Sequence, residues 1–268
     1  MNRVSVWRPK IPKLVQVAVM GLALTAVSIG TTAQAEDDAG KILKAMSDYV
    51  GKQKSISVAF DTDIEVITPE IQKIQFASSG TVLMNRPDKL HATRTGGYAD
   101  VELVFDGKTV SVLGKNMNTY VQADAPGTVD QLVDLLRNKY SIDMPGADLF
   151  LSNSYDEMMD GVLDAKHIGQ GVVEGVECEH LAFRTLDTDW QIWVETGDNP
   201  IPRKYVITSK STAAAPQYTI TIRDWKTDTQ ASADAFTFKP PANAKKGDFA
   251  ALSDIDEVPP GIVKGEMK

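Results

Sequence analysis

The sequence predicts a mainly β protein of the α+β class: an antiparallel sheet with helices packed against one face. Three observations lead there. About ten or eleven segments alternate apolar and polar residues with period two. These segments never alternate one for one with helices, which argues against the βαβ pattern of a parallel sheet. Helical periodicity occurs before the first strand and again midway, between two runs of strands.

The first 35 residues are set aside as a leader. Arg3, Arg8, Lys10 and Lys13 form a basic start, Leu14 to Gly30 is apolar, and Ala33-Gln34-Ala35 presents small residues at a cleavage point before Glu36. A retained anchor is the alternative, but 17 apolar residues are at the short end of a spanning helix. The expected mature chain is exported and soluble. Its single cysteine, Cys178, does not follow the cleavage point, so nothing there can carry an N-terminal lipid, and no internal disulfide is possible. Removing the leader leaves 24 basic against 36 acidic residues, near −12, from a full-chain charge of −8. Such a surface disfavours nucleic acid and anionic headgroups.

Asp37 to Lys52 reads as an amphipathic helix, with Ile42, Leu43, Met46, Tyr49 and Val50 at helical spacing and Gly51 after the last apolar residue. Ser57 to Val66 is a long strand with Val58, Phe60, Ile64 and Val66 on one face and Asp61, Asp63 and Glu65 on the other. Thr68-Pro69-Glu70 turns the chain into Ile71 to Met84. The stretch from Gly80 to Val112 is the most legible of all. A strand breaks at Asn85-Arg86-Pro87, because proline cannot donate to a ladder. Leu90, Ala92 and Arg94 then alternate with His91, Thr93 and Thr95. Val101, Leu103 and Phe105 follow, and Asp106-Gly107 signals a hairpin into Thr109 to Leu113. Asn118 to Gln122 adds a short strand.

Pro126-Gly127-Thr128 starts a helix whose apolar face is Val129, Leu132, Val133, Leu135 and Leu136. Ala147 to Gly161, with Leu149, Phe150, Met158 and Met159, is also helical in period. Two short helices between runs of strands predict a lid across the sheet. Strands return at Ala165 to Gly169, Val176 to Leu186, Trp190 to Glu195, Arg203 to Ser209, Gln217 to Trp225 and Phe236 to Phe238. The sequence thus divides into a leader (1–35), a folded domain (36–242) and a flexible acidic tail (243–268).

Chemistry is sparsely signalled. Cys178 and His180 lie two apart on a strand and share a face, so a nucleophile or a metal pair competes with a buried thiol beside a histidine paired across the hairpin, for example with Glu195. With three histidines and one cysteine, no four-ligand soft-metal site suggests itself, and no cofactor is expected. Asp61, Asp63 and Glu65 admit a calcium reading, but solvated strand faces carry the same alternation. No nucleophile elbow, phosphate loop or zinc-helix motif is present, so the chain is read as a non-enzyme. Met46, Leu132, Leu136, Met158 and Met159 are candidates to line an adaptable apolar cavity, with ordinary core packing as the alternative.

The run GTVLMNRPDKLHATRTGGYADVELVFDGKTVSVL resembles the periplasmic lipoprotein carriers of the LolA family, in which a glycine-containing strand, an Arg-Pro break and an Asp-Gly-Lys-Thr hairpin follow in this order. Asp234 to Pro241 resembles that family's closing strand and Pro-Pro stop. Met46 to Tyr49, Arg86 to Asp88, Asp106 to Thr109, Cys178 to Phe183, Asp189 to Trp193 and Pro202 to Lys204 together are similar to a family of predicted periplasmic proteins in the LolA/LolB-like superfamily. The resemblance implies an incomplete antiparallel barrel closed by helices over an apolar cavity. It also implies that Arg86 latches the lid. The segment from Ala125 to Gly161 is longer than the LolA equivalent and departs from it.

The expected function is a monomeric periplasmic carrier for a lipid, an acyl chain or a lipidated protein. A cell-envelope interaction or sensing module with a membrane-protein partner is the alternative, and a Cys178/His180 hydrolase the remote one.

Overall fold

The computed structural model describes residues 32–142, 144–249, 258–259 and 262; the expected leader up to residue 31 and most of the tail beyond 249 lie outside them. Period-two alternation pairs strands over a single sheet. β1 (Ser55–Ile67) and β2 (Lys73–Asn85) form a long hairpin, followed by β3 (Lys89–Gly96), β4 (Asp100–Phe105), β5 (Thr109–Gly114) and β6 (Thr119–Asp124). After the helical insertion come β7 (Asp164–Val173), β8 (Val176–Arg184), β9 (Thr188–Glu195), β10 (Pro202–Ser209) and β11 (Gln217–Thr227). β12 (Lys245–Lys246) lies beside β6 and β11 returns to pair with β1, which gives the order β12-β6-β5-β4-β3-β2-β1-β11-β10-β9-β8-β7. β7 ends the sheet on one side, so the barrel is incomplete, as the sequence predicts.

One face of this sheet carries the apolar rows and is covered by three helices. α1 (Thr32–Lys52) packs on β7, β8 and β9 and touches α3 (Ser154–Met159). Its Leu43, Met46 and Val50 join Ile56, Leu181, Phe183 and Ile192 in one buried cluster. α2 (Val129–Tyr140) starts at a capping box: Gln131 N–H donates to Thr128 Oγ1, and Thr128 N–H donates to Gln131 Oε1 at 2.9 Å. A 3-10 turn (Ala147–Phe150) lies between α2 and α3. Asp106 receives the amides of Lys108 and Thr109 and closes the predicted β4–β5 hairpin.

Four expectations change. α1 begins at Thr32 rather than Asp37, running through the expected cleavage point, because Ala, Gln and Glu are helix formers. Ala147 to Gly161 is a 3-10 turn and a separate α3, split at Leu151–Asn153. Phe236 to Phe238 is not a strand: a 3-10 turn (Ala233–Phe236) buries Phe236, and three residues are too few for periodicity to discriminate. The expected tail starts with an attached segment. β12 (Lys245–Lys246) pairs in parallel with β6, and Phe249 stacks on Tyr140 at the end of α2, 3.8 Å between ring centres.

Gly80 is a position where the sheet requires glycine. A Cβ there would lie 2.2 Å from the Thr93 carbonyl oxygen and 2.3 Å from the Phe60 ring, which lies across the gap. Gly80→Ala is expected to destabilise the protein by about 1–3 kcal/mol, because backbone and ring must both move. Urea unfolding tests this, and an unchanged midpoint would show that the strands separate without cost.

Candidate apolar cavity

Between α2, the 3-10 turn and strands β1–β5 and β11 lies a cavity of about 230 Å³. Its wall is assembled by register. Val58, Val82, Ala92, Leu103 and Val112 form one cross-strand row, and Ile222, Phe60, Gly80, Arg94 and Val101 form the next. The lid contributes Val129 and Val133 from α2, then Ile142, Met144 and the stretch from Pro145 to Phe150 apart from Asp148. Phe60, Val82, Val101 and Tyr218 are half-buried and Pro145 is exposed, so the space is not a sealed core void. Its volume is a little below the roughly 300–1,000 Å³ of small-molecule pockets, a scale suited to a slender apolar body.

The lid turn is held down at several points. Arg86 Nη2 donates to the Phe150 carbonyl at 2.6 Å, and the Phe150 ring stacks on Trp225. Tyr205 O–H on β10 donates to the Asp148 carboxylate at 3.3 Å. Asp130 on α2 accepts both the amide and the hydroxyl of Ser152. The α2 start is docked as well, since Val129 N–H donates to the Pro87 carbonyl at 2.8 Å. Gly146, at φ +84°, lets the lid backbone rest on β11: a Cβ there would sit 2.3 Å from Ile220 Cδ1.

Three of these groups carry an electrostatic penalty. Burial lowers the Arg86 pKa, an effect that the nearby Asp130 charge partly offsets. Its Nε is buried without a hydrogen-bond partner among the described residues. Burial likewise raises the Asp148 carboxyl, against the opposing hydrogen bonds, and raises the Tyr205 hydroxyl well above its usual range.

Arg86, the lid-latch candidate, is placed immediately after β2 with its guanidinium on the Phe150 carbonyl of the 3-10 turn. The five cavity candidates do not line the cavity. Met46, Leu132, Leu136 and Met158 are buried in the main core, and Met159 packs against it. The reason is angular. On α2, Val129 and Val133 are i, i+4 neighbours and turn to the cavity, whereas Leu132 and Leu136 form the adjacent ridge inside the core. Alternation on β1–β4 was the signal for the true lining, which consists mainly of strand residues.

The other candidates resolve into structural pairings. Cys178 Sγ is buried against the Val176 carbonyl, and burial pushes its thiol up. His180 Nε2 is 2.9 Å from Gln191 Oε1, and its ring stacks on Trp193; Glu195 instead pairs with Arg203. Asp61 pairs with Arg223 and Glu65 with Lys73, as befits a solvated strand face. Among the described residues no cluster could hold a metal ion, and no helix is long and apolar enough to cross a membrane.

Fold and site together define an incomplete β-barrel with a lidded apolar cavity. Residues 39–250 match the DUF2092 family, described as predicted periplasmic protein, and the chain belongs to that family. Among solved structures, the lipoprotein LppX of Mycobacterium tuberculosis is similar over 74% of this chain and 100% of its own, at 12% identity and a TM-score of 0.45. LprF from Mycobacterium bovis is similar over 78% and 98%, at 12% identity and a TM-score of 0.43. A LolA superfamily protein from Nitrosomonas europaea is similar over 78% and 99%, at 12% identity and a TM-score of 0.33. No curated protein matches the chain.

Two outcomes follow from the lid contacts. Arg86→Leu is expected to leave the sheet folded while speeding hydrogen exchange at residues 147–152; collapse of protection across β1 and β11 would make Arg86 a folding residue instead. For Asp148, the folded state holds the carboxyl proton more tightly than the unfolded chain. The stability this provides is present below the ordinary aspartate value near 4 and is lost as pH rises through the folded value. Asp148→Asn should therefore gain stability relative to wild type between pH 4 and pH 8 in parallel denaturation curves. An equal difference at both pH values would contradict this.

Proposed function

We propose that this protein is a periplasmic binding or carrier protein for a lipid, an acyl chain or the acyl chain of a lipidated protein, held in the cavity under the helical lid. The observation that supports this reading most is the space itself, walled almost entirely by aliphatic and aromatic side chains and roofed by a separately anchored turn. Each methylene moved from water into such a space contributes about 0.8 kcal/mol, so a fatty chain offers roughly 10 kcal/mol before the costs of association. A carrier must also release its cargo. A lid held by a few discrete contacts, Arg86 among them, can occupy two positions and so serves both steps.

The reading includes export, with residues 1–35 removed as a leader and the mature chain free of an N-terminal lipid, and it treats the protein as a monomer. The family's description as periplasmic supports the compartment. No reaction is assigned: the buried thiol of Cys178 has no bond to His180, whose ring is engaged by Gln191 and Trp193.

Native mass spectrometry of protein purified from its own envelope tests the proposal, with a co-purifying lipid as the expected result. Ala92→Phe and Val133→Phe, which fill the cavity from opposite walls, should each abolish that adduct while the fold persists by circular dichroism. Lipid retained in both filled variants would move the ligand elsewhere. An empty wild type that captures a membrane protein would favour the sensing module.

A further inference from the structure

The cavity is not uniform along the strands, and its polarity has a direction. The cross-strand row nearest the Arg86-Pro87 turn is Ile56, Met84, Leu90, Phe105 and Val110, all apolar and buried. The second row, from Val58 to Val112, is also wholly apolar. Polar atoms enter in the third row with Arg94. They continue in the fourth with Thr62 and Ser78, whose hydroxyls are 2.6 Å apart, and in the fifth with Tyr218, opposite Ile64. Arg94 is the single charged residue among the described residues of the lining.

We infer that the cavity binds an amphiphile in one orientation, with its apolar chain toward Met84 and Leu90 and an anionic head group on the Arg94 guanidinium. This rests on the binding function proposed above and specifies its ligand class. The geometry suits it. Arg94 follows Leu90 by four residues on β3, roughly 13 Å at strand rise, so tail and head positions are separated along one strand. Arg94 is half-buried beside apolar neighbours, where a charge-assisted bond gains strength over the same bond in water. Its planar fork matches a carboxylate or a phosphate. Arg94 already makes an interaction within the chain, and a guanidinium with five N–H donors can donate to a head-group oxygen as well. The position opposite Arg94 on β2 is Gly80, and the Phe60 ring lies over it in place of a β2 side chain.

Binding of dodecanoate, dodecyl phosphate, dodecan-1-ol and inorganic phosphate to delipidated full-length mature protein tests this by calorimetry. Wild type is expected to prefer one or both anionic amphiphiles over the alcohol by tenfold or more, with inorganic phosphate alone too weak to detect. The two anions separate a carboxylate from a phosphate head. Arg94→Gln should bring the preferred anion to within about twofold of the alcohol and leave the alcohol unchanged, whereas Arg94→Lys should retain a preference. Equal binding of anions and alcohol to wild type, or equal loss of both in Arg94→Gln with an unchanged melting temperature, would overturn the head-group assignment. So would tight Arg94-dependent binding of inorganic phosphate alone. Binding of none of the three amphiphiles to wild type would instead remove the carrier reading itself.

Discussion

The hydrogen bond from Arg86 to the Phe150 carbonyl holds a turn of backbone over a part of the sheet that α1 does not cover. Hydrogen bonds to charged groups are worth about 1.5–3 kcal/mol, and this one works against the cost of keeping a guanidinium partly out of water. A half-buried Asp148 beside Tyr205 adds a second contact with the same character. Both are polar anchors set into an apolar surround, where a contact is either well made or strongly penalised. Such contacts suit a cover with two discrete positions better than one that slides continuously.

The rest of the architecture follows from how unevenly the sheet is covered. Over β7, β8 and β9 the long α1 supplies a continuous apolar stripe, and the interior there is filled by Leu43, Met46, Leu181, Phe183 and Ile192. Over β1 to β5 the cover is short and irregular: Val129 and Val133 from α2, then a turn whose Gly146 touches Ile220 directly. A backbone resting on a sheet leaves room beside it that a helix with large side chains would occupy. The cavity is the space that this choice leaves open, and Gly80, with Phe60 across it, shapes its wall. The attached start of the tail, through Phe249 on Tyr140, braces the far end of α2.

Much of this was legible in the residues. Eleven strands and their turns follow from alternation and from Pro, Gly and Asp signals, and Arg86 was singled out by the Arg-Pro break within a recognisable run. The lining was not legible from the helices. Met46, Leu132, Leu136, Met158 and Met159 have the composition of an adaptable pocket, yet helical spacing states only that a face is apolar, not whether its neighbours fill the gap. Phe236 and the β12 pairing were missed because both are short and depend on what lies beside them rather than on any local repeat.

By itself the sequence determined which residues share a face. Period two on β1 to β5 commits Val58, Val82, Ala92 and Arg94 to the inner side, since a one-residue slip would turn every apolar group outward. It also determined where the chain must turn, since proline and glycine act on the backbone locally. The tertiary structure alone decided which inner residues face a filled core and which face open space. That depends on the distance between the sheet and its cover, set by contacts such as Arg86 with Phe150 and Gly146 with Ile220, more than 60 residues apart along the chain.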